Sequence, residues 1–310
     1  MPKGTLDALD QAIIAALEGN IRRPTQAIAE AVSATPATVK RRLDRLQGEQ
    51  IITLSPLVDL RAAGYEYLLI IGIRVKQLSP YRVAERLGEI PGALTANVTL
   101  GTQDIELVAA ARDREEASHL LAETLPAIDG IASLEAALSL DVWKFRSGVL
   151  DPARVSPKSR PSLLDALDRQ IIQSLRHTAR KSNRAIAAEI GISETAVRNR
   201  LARMQKNKQL NFEHVWKPLG QKDIAAFVGI DVKSGDATAV CQALAEIDSV
   251  SFVTTALGRH NIFCTINVDN LETLTRVLHE RIIPIPGILS TRPSHCLDQV
   301  IHQLELGFII

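Results

Sequence analysis

Leu6, Leu9, Ile13, Ile14 and Leu17 recur at the spacing of one helical face, and Asp7 and Asp10 stand near its start, where the helix dipole favours acids. A second helical stretch, TQAIAEAV, opens after Pro24, with Thr25 as its predicted cap. SATP then breaks the chain, and Pro36 suits the first turn of a third helix. On that third helix, TPATVKRRLDRLQ, the residues Val39, Leu43 and Leu46 share a face and leave Thr38, Lys40, Arg41, Arg42 and Arg45 for the others. Helix, short turn, helix is the spacing of a helix-turn-helix.

Beyond these helices the pattern changes. YEYLLIIGIRVK (65–76), ALTANVTLG and IELVAAAR read as strands, with helical stretches PYRVAERLGEI and EEASHLLAETL between and after them. A last strand is predicted near 131–143, which gives the order β-α-β-β-α-β of a ferredoxin-like domain. Two helices cover one face of such a sheet. The other face is left bare and predicts a partner sheet.

The whole pattern is written twice. Shifted by 158 residues, LDALDQAIIAAL (6–17) falls on LDALDRQIIQSL (164–175), and residues 25–47 fall on 183–205 without a gap. In the second copy Gly191 is placed to end one helix in the left-handed conformation and Ser193 to cap the next. Val197, Leu201 and Met204 repeat the buried stripe, with Thr195, Arg198, Asn199, Arg200 and Arg203 outside it. AAFVGIDVK, VSFVTTALG and IFCTINV repeat the strands, ATAVCQALAEI and LETLTRVLHERI the helices, and 288–301 the last strand. With one or two small gaps, Gly64, Gly101 and Gly130 fall on Gly220, Gly258 and Gly287. A period of this length is a duplicated protein, because solenoid units run to about 20–50 residues.

The predicted organisation is therefore α+β: a helix-turn-helix (winged-helix-like) domain over 1–55 and a ferredoxin-like domain over 56–146. A Pro- and Ser-rich linker over 147–162 follows, then a second helix-turn-helix domain over 163–215 and a second ferredoxin-like domain over 216–310.

Charge follows this division. Net charge over all 310 residues is only +1, yet residues 161–215 carry ten Lys and Arg against five Asp and Glu, whereas 56–150 carry nine against thirteen. A basic module beside an acidic one points to nucleic-acid contact by part of the chain. Guanidinium and amide groups on an exposed helix suit the major groove, where Arg pairs with guanine and Asn with adenine. The candidate DNA contacts are Thr38, Lys40, Arg41, Arg42 and Arg45, with Thr195, Arg198, Asn199, Arg200 and Arg203. Arg41 corresponds to Asn199, so the two halves are expected to read an imperfect palindrome.

No apolar run is long enough to cross a bilayer, the first residues lack the apolar core of a signal peptide, and three cysteines make no framework. These features predict a cytoplasmic protein without membrane contact. His260 and Cys264 would sit about 13 Å apart on a strand, which argues against a metal site. Walker, G-x-S-x-G and G-x-G-x-x-G patterns are lacking, so neither catalytic residues nor a cofactor are predicted.

A helix-turn-helix opened by L-D-x-x-D and followed by β-α-β-β-α-β resembles the Lrp/AsnC (leucine-responsive, feast/famine) transcriptional regulators, over 5–145 and again over 163–303. The resemblance implies double-stranded DNA as partner, a homo-oligomer of two or more subunits, and a small-molecule effector such as an amino acid bound between sensor domains. It also implies effector contacts at a G-x-x-D loop: Gly101, Thr102 and Asp104 in the first copy, and Gly258, Arg259 and Asn261 in the second, where an amide replaces the carboxylate. The alternative is a fused siroheme decarboxylase-like enzyme of the same layout. That family carries an R-R-x-G segment after the helix-turn-helix, where this chain writes IITLSPLVDL and LNFEHVWKPL. The departure weighs for a regulator.

Overall fold

The computed structural model describes residues 6–17, 21–49, 51–145, 162–176, 178–216 and 224–302. Helices α1 (Ala8–Leu17), α2 (Thr25–Ala31) and α3 (Pro36–Gly48) build the first helix-turn-helix; α6 (Ala166–Leu175), α7 (Asn183–Ile190) and α8 (Glu194–Lys206) build the second. The turn chemistry is local. Thr35 caps α3 by accepting the Thr38 N–H, and Ser193 caps α8 by accepting that of Ala196. Gly191 ends α7 with φ +74°. Thr25 is not a cap: the capping position belongs to Pro24, and the Thr25 hydroxyl instead accepts a hydrogen bond from Arg180 of the second copy at 3.1 Å.

The two helix-turn-helix modules are not separate beads. Ile13, Ile14, Leu17 and Leu46 of the first share one buried cluster with Ile171, Ile172, Leu175 and Met204 of the second. Strands β1 (Ile52–Val58) and β6 (Leu210–Trp216), which leave the two modules, pair antiparallel beneath it.

The first sensor domain contains β2 (Tyr67–Val75), α4 (Pro80–Leu87), β3 (Ala93–Leu100), β4 (Ile105–Ala111), α5 (Arg114–His119) and β5 (Ile131–Phe145). The second contains β7 (Ile224–Val232), α9 (Ala237–Ala245), β8 (Val250–Leu257), β9 (Ile262–Val268), α10 (Leu271–Arg276) and β10 (Ile288–His302). In both, the last helix runs on into a π-helical turn. The sheet orders β3-β4-β2-β5 and β8-β9-β7-β10 are ferredoxin-like.

The bare sheet faces meet within this one chain. Each last strand is 15 residues long; β5 pairs with β2 over its first part and with β8 over its second, while β10 passes in the same way from β7 to β3. Bulges at 139–141 and 296–298 bend these strands across the seam. The result is a closed eight-stranded barrel with helices outside, which removes the free edges that either sheet would expose alone.

Candidate DNA-binding and sensor sites

The L-D-x-x-D segment now has a physical explanation. The Asp7 and Asp10 backbone N–H groups donate to each other's carboxylates at 3.2 and 2.8 Å, and Asp165 and Asp168 repeat the arrangement as a capping box. Asp10 and Asp168 are fully buried, so they require cations. The third helix of each module, α3 and α8, supplies them. Arg42 Nη1 reaches Asp7 at 2.5 Å and Asp10 at 3.0 Å, and Arg45 reaches Asp10 at 2.5 Å. Arg200 reaches Asp165 at 2.6 Å and Asp168 at 2.9 Å, and Arg203 also pairs with Asp168. The Asp10 backbone N–H and the Arg42 guanidinium hold Asp7 below the usual carboxylate range; Arg200 and the Asp168 N–H do the same for Asp165.

Four of the ten candidate DNA contacts are therefore tied to the start of their own module, where they join α3 or α8 to the first helix. Lys40 and Arg41 in α3, and Arg198 and Asn199 in α8, are exposed, as is Thr195, whose hydroxyl lies 3.4 Å from Arg198. Thr38 is half-buried at the start of α3. Each helix thus presents one compact polar patch.

Arg22 and Arg180 occupy the same position of the repeat, and the sequence reading did not single them out. Arg22 donates to the backbone carbonyls of Ala179 (2.9 Å) and Lys181 (2.8 Å) and to Asn183 Oδ1 (2.8 Å), and lies over the Phe212 ring at 5.2 Å. Arg180 returns the contact, donating to the Arg23 carbonyl at 2.8 Å and to Thr25. Burial lowers both guanidinium pKa values, and for Arg22 the facing Arg180 lowers it further. The two modules are thereby clamped at one spacing.

In the sensor domains the G-x-x-D loops stand at the two seams of the barrel. Gly101 lies against Ser294 and Gly258 against Ala137, so closely that a Cβ on either would come within 2.6 Å of the opposite strand. The Asp104 carboxylate accepts the Val75 N–H at 2.8 Å, with Arg74 at 3.6 Å; Asn261 Oδ1 accepts the Val232 N–H at 3.0 Å. Carboxylate and amide make the same backbone bond, which accounts for their exchange between the copies. Thr102 Oγ1 lies 3.4 Å from Ser294 Oγ, and Arg259 crosses the interior to Glu106 at 2.5 Å while stacking on Phe263 at 5.0 Å. Burial pushes the Glu106 carboxyl up, against the pull of Arg259. His260 Nδ1 faces Asp231 at 2.9 Å, and Asp231 in turn accepts the Ser290 hydroxyl at 2.7 Å.

Paired helix-turn-helix modules on paired ferredoxin-like domains define a class of two-domain regulators. Residues 6–47 and 164–205 match the AsnC-type helix-turn-helix domain, and residues 68–149 and 225–306 match the Lrp/AsnC ligand binding domain. The chain belongs to the Lrp/AsnC family. An HTH-type transcriptional regulator of Pyrococcus furiosus is 33% identical over 134 residues, which is 43% of this chain and 90% of that protein. Regulatory protein AsnC of Escherichia coli is 31% identical over 135 residues, 42% of this chain and 87% of its own. These relatives each correspond to a single copy of the repeat.

Over its full length the chain shares its fold with the siroheme decarboxylase NirDL in complex with an iron-uroporphyrin III analogue, at a TM-score of 0.68 and 15% identity, covering 97% of both chains. Among the described residues no helix is long and apolar enough to cross a membrane.

Proposed function

We propose that the chain is a sequence-specific DNA-binding transcriptional regulator whose two recognition helices address the half-sites of one operator, and whose sensor domains answer to a small-molecule effector. The observation that carries this reading is the pair of exposed patches, Lys40–Arg41 and Arg198–Asn199, held at fixed separation by the Arg22 and Arg180 clamp. A half-site pair one helical turn apart or a multiple of it suits such a body, and the difference between Arg41 and Asn199 favours an imperfect palindrome. The effector, an amino acid or related metabolite, would act at the seams, where Gly101, Thr102, Asp104, Gly258, Arg259 and Asn261 stand. A ligand preferring one seam geometry shifts the population of that geometry and with it the orientation of the clamped module pair on the sensor barrel.

The test is binding to DNA from the gene's own upstream region with salt titrated, for wild type, Lys40→Ala/Arg41→Ala and Arg198→Ala/Asn199→Ala. Specific binding that weakens steeply with salt, and falls in at least one variant, supports the regulator. Equal weak binding by all three overturns it. The thermal midpoint with each amino acid in turn tests the effector: a rise with one supports it, and none overturns it.

The fold shared with NirDL gives a tetrapyrrole enzyme as the second reading. Against it, the Arg259 guanidinium is engaged by Glu106 and the His260 ring by Asp231, so both of these interior side chains already have partners within the protein. An iron-uroporphyrin titration followed by absorbance separates the two readings.

A further inference from the structure

The seam between the sensor sheets is chemically lopsided although the fold there is symmetric. Glu106 on β4 and Arg259 between β8 and β9 pair at 2.5 Å with side chains 5% and 10% exposed. The 157-residue shift that relates the sensor domains puts Thr102 at the place of Arg259 and Phe263 at the place of Glu106. The buried ion pair is therefore made once, and the symmetry-related place holds no charge.

Pairing of like with like breaks this balance. Two first sensors from different chains would set Glu106 opposite Thr102 twice, burying two carboxylates without a cation. Two second sensors would set Arg259 opposite Phe263 twice, burying two guanidiniums without an acid. An unmatched buried charge is costlier than either an ion pair or an apolar contact. Across the same seam Lys144 donates to the Ile247 carbonyl and Phe145 meets Phe252 edge to face, and a further set of cross-copy contacts is small, neutral and nearly symmetric: Ser139 with Thr254, Cys296 with Asn97, Gly101 with Ser294 and Gly258 with Ala137. They fit either arrangement. The ion pair is also an imperfect stabiliser, since Arg259 Nε and the neighbouring Gln103 Oε1 are buried without hydrogen-bond partners among the described residues.

We infer that Glu106 and Arg259 form a matching code by which the first sensor sheet accepts the second sheet of its own chain and rejects a second copy of itself. A tether alone favours the internal partner only by an effective concentration on the order of millimolar. During synthesis, moreover, first copies emerge before their internal partners exist. The code closes the route to open-ended pairing of like sensors between chains, and the tether then favours the second sheet of the same chain over that of another.

The full-length chain provides the test. Leu138 and Leu257 are register partners across the β5–β8 seam, and the three native cysteines are buried, so a new cysteine pair at 138 and 257 reports that seam. Chain one carries Glu106→Arg with Leu138→Cys; chain two carries Arg259→Glu with Leu257→Cys. Each is mismatched internally, and each complements the other. Co-expressed, the two are expected to give a disulfide-linked heterodimer that the same cysteines on wild-type chains do not give. Within one chain, either charge change alone lowers the unfolding midpoint, and the Glu106→Arg/Arg259→Glu swap recovers most of the loss, with a coupling on the order of tenfold or more in the unfolding equilibrium constant. Unchanged single variants, a swap no better than the worse single variant, or equal cross-linking on wild-type chains each overturn the inference. If the single variants do not accumulate alone, soluble heterodimer on co-expression supports it, and continued loss overturns it.

Discussion

Arg22 and Arg180 each cross the pseudo-two-fold axis to hold the backbone of the opposite helix-turn-helix module, at 2.8–2.9 Å for their carbonyl contacts. These bonds join the turn before α2 to the turn before α7, so they decide how far apart α3 and α8 stand. Arg22→Ala leaves the Ala179 and Lys181 carbonyls without their donor and should cost about 1–3 kcal/mol in urea denaturation. Specific DNA binding should fall further than non-specific binding, because phosphate contacts tolerate a range of spacings and a half-site pair does not. A variant that loses both in proportion would show that the clamp serves stability alone.

Asp10 is the buried anchor of Arg42 and Arg45. Asp10→Ala removes the buried carboxylate that Arg42 and Arg45 share, leaving them only the exposed Asp7 and Glu49, and should destabilise the protein by about 3 kcal/mol. Asp7→Ala should lose far less, since that carboxylate is half-exposed and solvent can replace it. Chemical denaturation of the two variants side by side measures the difference.

The same carboxylates set an acid limit. Asp7 and Asp165 have folded-state pKa values below the ordinary 3.8, so they bind fewer protons folded than unfolded at low pH. Their contribution is complete above that ordinary value and is lost as pH falls through the depressed ones. The thermal midpoint should therefore hardly respond to these groups between pH 7 and 5 and should fall below about pH 4. In Asp7→Asn/Asp165→Asn the acid slope should be shallower, which a series of melts at stepped pH will show.

Gly101 and Gly258 allow the two sheets to close. A Cβ on Gly101 would come within 2.8 Å of Ser294 Cα, and one on Gly258 within 2.6 Å of Ala137 Cα, where backbone cannot give way. Gly101→Ala should cost about 1–3 kcal/mol through the displaced seam and raise hydrogen exchange in β10 and β3. Gly191→Ala, with open space around its Cβ, should cost about 1 kcal/mol from its positive φ alone and leave the seam unchanged.

The helix-turn-helix was legible because its information is local. Pro36, Ser193, Gly191 and the stripes Val39–Leu43–Leu46 and Val197–Leu201–Met204 act within a turn or two of themselves. Strands β1 and β6 gave no comparable signal, since each is specified by a partner more than 150 residues away. Arg42, Arg45, Arg200 and Arg203 read from sequence as further DNA contacts because a helical wheel shows which residues leave the core, not which acid waits beside them. Arg22 and Arg180 were hidden for a related reason. Nothing in a lone arginine shows that its donors will be used by carbonyls of the other copy, although its recurrence at one repeat position was a usable sign.

The sequence by itself determined the duplication, the helices and sensor strands of each unit and the family pattern, because periodicity, capping and turn chemistry depend on neighbours along the chain. Only the tertiary structure decided that the two units close on each other, that the modules share one core, and that Glu106 meets Arg259. Those outcomes depend on which buried charges find partners and which sheet edges find strands. Such balances are struck between residues that the sequence keeps far apart.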